Sequence, residues 1–354
     1  LPTLRQQIAQ MLIMGFNGLQ IDSSNRVSNW LTNEGIGGVI LFDKDVTTNL
    51  PVKNLVDVKQ IIQLTQQLKK YTKANHSFGH LPLLIGVDYE GGAVDRLKNI
   101  AGCPLTFSPE RMAGLSEDEF VKLTSQMASF LKKLGFNLNF APSVDLDLNK
   151  QEGIIGKLGR SFSADPKKVI KYAELFVATF AKHNINCCYK HFPGHGSATG
   201  DTHTGFVDVT TTYKEEELYP YKALATSQST IPTMIMTAHV INRHLDTSGI
   251  PATLSKIMLT DLLRKTFGFS GVIVSDDLQM QAISQYYSME EKLCLSINAG
   301  ADMLIFANQL GSNDASEVID TIVRLVADKA IPVNRIHESY QRILNLKQAH
   351  WVTA

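Results

Sequence analysis

Eight short, continuously apolar runs fix what this chain can fold into: QMLIMGF (10–16), GGVILF (37–42), PLLIGVD (82–88), FNLNFAP (136–142), INCCYKHF (185–192), TMIMTAH (233–239), GVIVSD (271–276) and ADMLIF (301–306). Each is too short for a core helix. Apolar character that does not alternate marks strands buried on both faces, as in a parallel sheet. Between the runs, apolar residues recur every three or four positions, most clearly over 54–71, 117–135, 166–183 and 316–329. That period predicts amphipathic helices. Caps agree: Ser116 precedes Glu117-Asp118-Glu119, Gly135 closes that helix, and Asp165-Pro166 opens the next. Eight strands alternating with helices over 354 residues predict an α/β fold, a (β/α)8 TIM-like barrel, with 1–354 as a single domain. The alternative is an open doubly wound sheet, which usually carries a Gly-rich turn after its first strand. The first run here ends GFNG with no GxGxxG, which speaks against dinucleotide binding.

Composition narrows the partners. Lys plus Arg and Asp plus Glu number 34 each, with no basic stripe for nucleic acid and no polybasic tail for a membrane. No apolar run approaches the roughly 20 residues of a membrane span. The four cysteines, Cys103, Cys187, Cys188 and Cys294, match no zinc spacing and read as buried free thiols. Residue 1 is Leu rather than Met, which predicts a cleaved or trimmed start. The compartment therefore turns on what preceded it. A monomer is the default.

In a barrel, chemistry sits where strands end at the C-terminal face. The third run ends at Asp88, the fourth leads to Asp145 and Asp147, the fifth holds Lys190 and His191, the sixth ends at His239, and the seventh gives Asp276-Asp277. Arg160 lies in GRSF, in the long connection after the fourth. A random surface would not sort titratable groups to one end of so many strands. Adjacent strand residues face opposite ways, so a single functional carboxylate is expected, Asp276, with Asp277 as a cap or prop for the neighbouring loop.

The densest stretch is KHFPGHGSATGDTHTGF, 190–206. His191 and His195 are four apart, but Pro193 and Gly194 intervene, so no helix carries a zinc-binding pair through it. A loop zinc site from His191, His195 and His203 is an alternative; the favoured reading needs no metal. Asp201 and His203 are two apart, which in an extended segment points both side chains the same way. A carboxylate beside an imidazole fixes its tautomer and favours its protonated form, which suits an acid/base pair on a Gly-rich loop.

Six segments together resemble the bacterial β-N-acetylglucosaminidases of glycoside hydrolase family 3: GVDYEGGAVDRL (86–97), NFAPSVDL (139–146), GRSFSADP (159–166), KHFPGHGSATGDTH (190–203), MTAHV (236–240) and VSDDLQM (274–280). The resemblance implies a retaining β-N-acetylhexosaminidase whose catalytic barrel is the whole chain, without the sandwich domain that many relatives carry. It implies Asp276 as nucleophile, His203 as general acid/base with Asp201 as its partner, and Asp88, Arg160, Lys190, His191 and His239 as contacts to GlcNAc. It implies no metal or organic cofactor. The implied substrate is a GlcNAc-containing saccharide, peptidoglycan (muropeptide) fragments above all. The implied compartment is cytoplasmic, or periplasmic if a signal peptide preceded Leu1. Other readings keep the same residues: a phosphorylase using phosphate as acceptor, a β-glucosidase of the same family, or a non-catalytic sugar-binding barrel.

Overall fold

A computed structural model describes residues 2–46, 48–201, 205, 207–227 and 231–349. Each apolar run contributes one barrel strand: β1 (Leu12–Met14), β2 (Gly38–Ile40), β3 (Leu84–Val87), β4 (Leu138–Asn139), β5 (Asn186–Phe192), β6 (Met234–Thr237), β7 (Ile273–Ser275) and β8 (Leu304–Phe306). They are hydrogen-bonded in the order β7-β6-β5-β4-β3-β2-β1-β8, and every pair is parallel. A parallel bridge between Val274 and Met303, with Ser275 N donating to Met303 O at 2.9 Å, joins β7 to β8 and closes the ring. The fold is the (β/α)8 barrel that the alternation predicts. The strands are buried throughout, which is why their sequences run apolar without alternating.

The helices follow their caps. Ser116 and Glu119 form a capping box at the start of Glu117–Leu134, and Gly135 ends it at φ 97°. Asp165 accepts from Lys167 N to open Pro166–Ala181. The helix expected from residue 54 instead starts at Val58, capped by Asp57. Asn54 is held in the loop because its side-chain amide donates to Phe16 O and Gly18 O, both at 3.0 Å. Among the described residues no helix is long and apolar enough to cross a membrane. The four cysteines are free thiols.

The N-terminal end of the barrel is a polar floor. Asp302, fully buried just before β8, accepts from Arg264, Arg335, Arg342 and Ser339, and from Ile273 N at the start of β7. This ties the last helix, Val333–Gln348, under β7 and β8. From the same helix, buried Lys347 donates to Gln10 Oε1 at 2.9 Å and Gly37 O at 2.8 Å, beneath β1 and β2. Burial without a carboxylate pushes its ammonium down from 10.5 to about 7. The folded state then sheds its proton near pH 7 while the unfolded chain keeps it to about 10.5. Stability is therefore expected to rise with pH across that window, at a slope of up to about 1.4 kcal/mol per pH unit. Denaturant unfolding from pH 6.5 to 10 should show the rise in wild type, and Lys347→Met should remove this component.

Candidate active site

The opposite end carries the chemistry. A cavity of about 440 Å³ opens among the loops after β2, β3, β4, β5, β7 and β8. Its size suits a small ligand, for which clefts run roughly 300–1,000 Å³. Asp88, Arg160, Lys190, His191, Asp201 and Asp276 all line it. Of the eight residues to which the resemblance assigns roles, Asp276 and five others thus share one space.

Beyond β3 the chain folds into a hairpin, Tyr89–Gly91 against Val94–Asp95. Its turn needs glycine: Gly92 sits at φ 64°, and a Cβ there would lie 2.7 Å from Ser108 Cα. The hairpin drives Glu90 inward, where it is 1% exposed, and brings Arg96 to the cavity wall. Glu90 is the hub of the polar end. Arg160 grips it in a fork, Nε at 3.0 Å and Nη2 at 2.7 Å, while Lys190 Nζ sits 2.8 Å from Oε1. Burial opposes the Glu90 charge, but Arg160 and Lys190 outweigh it and hold the carboxyl well below the usual range. Burial likewise opposes the Lys190 charge, and Glu90 and Asp88 overcome it, so its pKa rises. Lys190 also reaches Asp88 at 3.3 Å, and Arg96 lies 4.0 Å from the other Asp88 oxygen. Two buried cations and a partly buried carboxylate therefore face the cavity in fixed orientation.

His191 is oriented by Asp145, a fully buried carboxylate that the sequence reading placed after the fourth run without giving it a role. Asp145 Oδ2 lies 2.7 Å from His191 Nδ1, and a carboxylate can only accept, so Nδ1 carries the proton and Nε2 is the nitrogen left for a ligand. Asp145 Oδ1 also takes the His195 amide at 2.9 Å. Burial opposes its ionisation, yet His191 and the other donors keep its pKa lowered. His195 lines the cavity too; burial and the neighbouring His191 push it down to about 4. The loop passes so close to β4's extension that a Cβ on Gly196 would lie 2.0 Å from Leu146 O. Behind the loop, buried Glu217 accepts from Ser197 N at 3.2 Å and Lys214 N at 3.0 Å. Further along the chain, Val207–Asp208 pairs with Val240–Ile241. His203 lies outside the described residues.

Asp276 follows β7 directly, and its Oδ1 accepts from Asp277 N at 2.8 Å. Asp277 is the prop: its Oδ1 receives Gln279 N at 3.1 Å and Ala307 N at 3.2 Å, joining the β7 loop to the β8 loop. His239 is placed differently from its sequence reading. It is 1% exposed and is not a lining residue; Nδ1 meets Thr253 Oγ1 at 2.7 Å and Nε2 meets Asp277 O at 2.8 Å. It supports the backbone beside Asp276 from behind. Tyr89 also turns away, fully buried with its hydroxyl 3.5 Å from Cys103 Sγ. Among the described residues no three His, Cys, Asp or Glu side chains are gathered as a metal would need, and His203 is not one of those residues.

Comparison with known proteins places this geometry. Residues 3–346 match the profile of the Glycosyl hydrolase family 3 N terminal domain. Beta-hexosaminidase A of Pseudoalteromonas piscicida is 31% identical over 342 residues, covering 91% of this chain and 54% of that protein. Beta-hexosaminidase of Tolumonas auensis is 33% identical over 301 residues, 84% of this chain and 82% of its own. The glycoside hydrolase family 3 beta-N-acetylglucosaminidase from Paenibacillus sp. str. FPU-7 superposes with a TM-score of 0.86 at 30% identity, over all of this chain and 64% of its own length. This chain thus spans little more than half of the first of these relatives and under two thirds of the third. With the profile covering nearly every residue and the barrel superposing throughout, the chain belongs to glycosyl hydrolase family 3.

Proposed function

We propose that the protein is a retaining β-N-acetylhexosaminidase that removes β-linked GlcNAc from the non-reducing end of saccharides, with peptidoglycan (muropeptide) fragments as the natural source. The observation that carries this reading is the meeting of Asp276 with Asp201 and the Lys190–Glu90–Arg160 cluster in one cavity. The names of the relatives, beta-hexosaminidase, agree with it. The muropeptide source rests on the motif resemblance alone.

In this reading the buried donors Lys190 and Arg160, with Asp88 and His191 Nε2, hold the sugar hydroxyls, and charged partners strengthen such bonds to a neutral sugar. The anomeric carbon is then presented to Asp276. Its carboxylate forms a bond to that carbon as the glycosidic C–O bond breaks, and the departing oxygen takes a proton from His203. His203 next takes a proton from water, whose oxygen displaces Asp276 from the opposite face. Two displacements retain the configuration. Asp201, two residues before His203, favours the imidazolium needed in the first step.

The test is release of para-nitrophenol from the β-N-acetylglucosaminide beside the matching β-glucoside. Turnover of the first alone, with free GlcNAc as product in phosphate buffer, is the expected result. A sugar phosphate as product would make it a phosphorylase, and no turnover of either would sink the reading. His203→Ala is expected to lower kcat/KM by roughly 10²- to 10⁴-fold on alkyl glycosides, whose leaving oxygen needs the proton, and far less on dinitrophenyl glycosides. Equal losses on both would remove His203 from the acid role.

A further inference from the structure

The segment that carries Asp201 and His203 has two roots. The chain leaves the end of β5 through Gly194 to Ser197, and reaches Lys214 by way of Val207–Asp208. Residues 198–213 lie between. Glu217 holds both roots: Oε1 accepts from Ser197 N at 3.2 Å and Oε2 from Lys214 N at 3.0 Å. The bond to Lys214 alone would be an ordinary cap on the single-turn helix Glu215–Leu218. A cap of that kind leaves the second oxygen over. Here the second oxygen serves the other root.

This arrangement calls for a carboxylate. It presents two acceptor oxygens and no donor, whereas an amide would set its NH2 against one of the two backbone N–H groups. Glu217 is 1% exposed; burial raises its pKa, and the hydrogen bonds from Lys214 and Ser197, rather than any cation, oppose the rise. Burying a carboxylate away from a cation is unfavourable, so its place here is explained by the backbone it holds. Its mount is packed. A Cβ on Gly194 would lie 2.9 Å from Glu217 Cβ, so the turn rests against the stem of the side chain. One turn further, fully buried Tyr221 meets Phe192 at the end of β5 edge to face, with 5.1 Å between ring centroids and 86° between planes. From the other side, Asp145 takes His195 N at 2.9 Å.

Resting on the hexosaminidase reading, we propose that Glu217 is a positioning residue for the acid/base step: by clamping the two roots together it sets where Asp201 stands in the cavity. Asp201 lines that cavity and Glu217 does not, so Glu217 acts through the chain it holds and not on the sugar. Proton transfer to a leaving oxygen depends steeply on placement, and a shift of about 1 Å can lower a rate by roughly a hundredfold.

The test compares wild type with Glu217→Gln, which keeps the shape and one acceptor, and Glu217→Ala, which keeps neither, on methyl and dinitrophenyl N-acetyl-β-glucosaminides. Methanol leaves only with a proton, whereas dinitrophenolate leaves without one. Glu217→Gln is expected to lower kcat/KM on the methyl glycoside by roughly 10- to 100-fold, carried by kcat, and on the dinitrophenyl glycoside by about threefold or less. Glu217→Ala should widen the gap, and Glu217→Gln carries the test should Glu217→Ala not fold. Equal losses on both substrates, or a lowered melting temperature with their ratio unchanged, would overturn the proposal and leave Glu217 a residue of the fold alone. Amide hydrogen exchange over 194–201 and 207–214 gives a reading that needs no turnover. Glu217→Gln should speed exchange at these roots by roughly tenfold or more while β1 to β4 keep their protection. Should wild type cleave neither glycoside, the hexosaminidase reading fails on its own. Exchange then decides the clamp: faster exchange confined to the roots supports it, and unchanged exchange overturns it.

Discussion

Asp276→Asn is expected to lower kcat on para-nitrophenyl N-acetyl-β-glucosaminide by roughly 10⁴-fold or more while the melting temperature barely moves. The two halves of this expectation have different causes. The rate falls because an amide oxygen cannot form and release the glycosyl ester, so the two-step route closes. The fold survives because Asn keeps an Oδ1 acceptor for the Asp277 amide. The loop is held independently by Asp277, through Gln279 N and Ala307 N, and by His239, against the Asp277 carbonyl. Steady-state kinetics and a thermal melt check both. A variant that keeps more than a few per cent of wild-type turnover with an unchanged melt would remove Asp276 from the nucleophile role.

Glu90→Ala is expected to cost about 3–5 kcal/mol of stability, because it strands two buried cations, Arg160 and Lys190, without their shared carboxylate. Glu90→Gln, which keeps the shape and loses the charge, should fall between the two. The pH dependence follows from the same group. Its folded pKa is held below the ordinary 4.5, so its contribution is complete above about pH 4.5 and is lost as pH falls below that toward the folded value. Denaturant unfolding at pH 7 and at steps down to pH 3 should show a steeper acid decline in wild type than in Glu90→Gln. Parallel declines, or equal stability at neutral pH, would show that the cluster contributes no net charge stabilisation.

The barrel was legible because its strands are buried on both faces, so each left an unbroken apolar run. Strand ends were legible for the same reason: the first charged residue after a run, such as Asp88 or Asp276, reaches the cavity. The rule fails one layer further in. Glu90 and Asp145 lie past the strand ends, Glu90 in the hairpin after β3 and Asp145 in the loop after β4, holding Lys190, Arg160 and His191, and a linear reading carries no sign of which side chain each will meet. Arg96 was missed because only the glycine turn of the hairpin brings it back to the cavity. His239 follows β6 as Asp276 follows β7, and by position alone it belongs in the cavity. Thr253 and the Asp277 carbonyl engage both its nitrogens instead. Strand-end position says which layer a residue occupies; local partners decide which way it turns.

The floor of the barrel also bears on how the chain is made. β1 pairs with β8, Leu12 against Leu304, and Lys347 reaches back to Gln10 and Gly37. Strands formed early in synthesis therefore wait for residues some 300 positions later before their edge is covered. Until β8 leaves the ribosome, β1 offers an open parallel edge, and long-range parallel closure of this kind is slow. A growing chain of this architecture spends most of its synthesis with an exposed strand that any other nascent chain can pair with. Its yield in a cell should therefore respond to chaperone supply and to the rate of translation up to β8 more than to changes around the cavity.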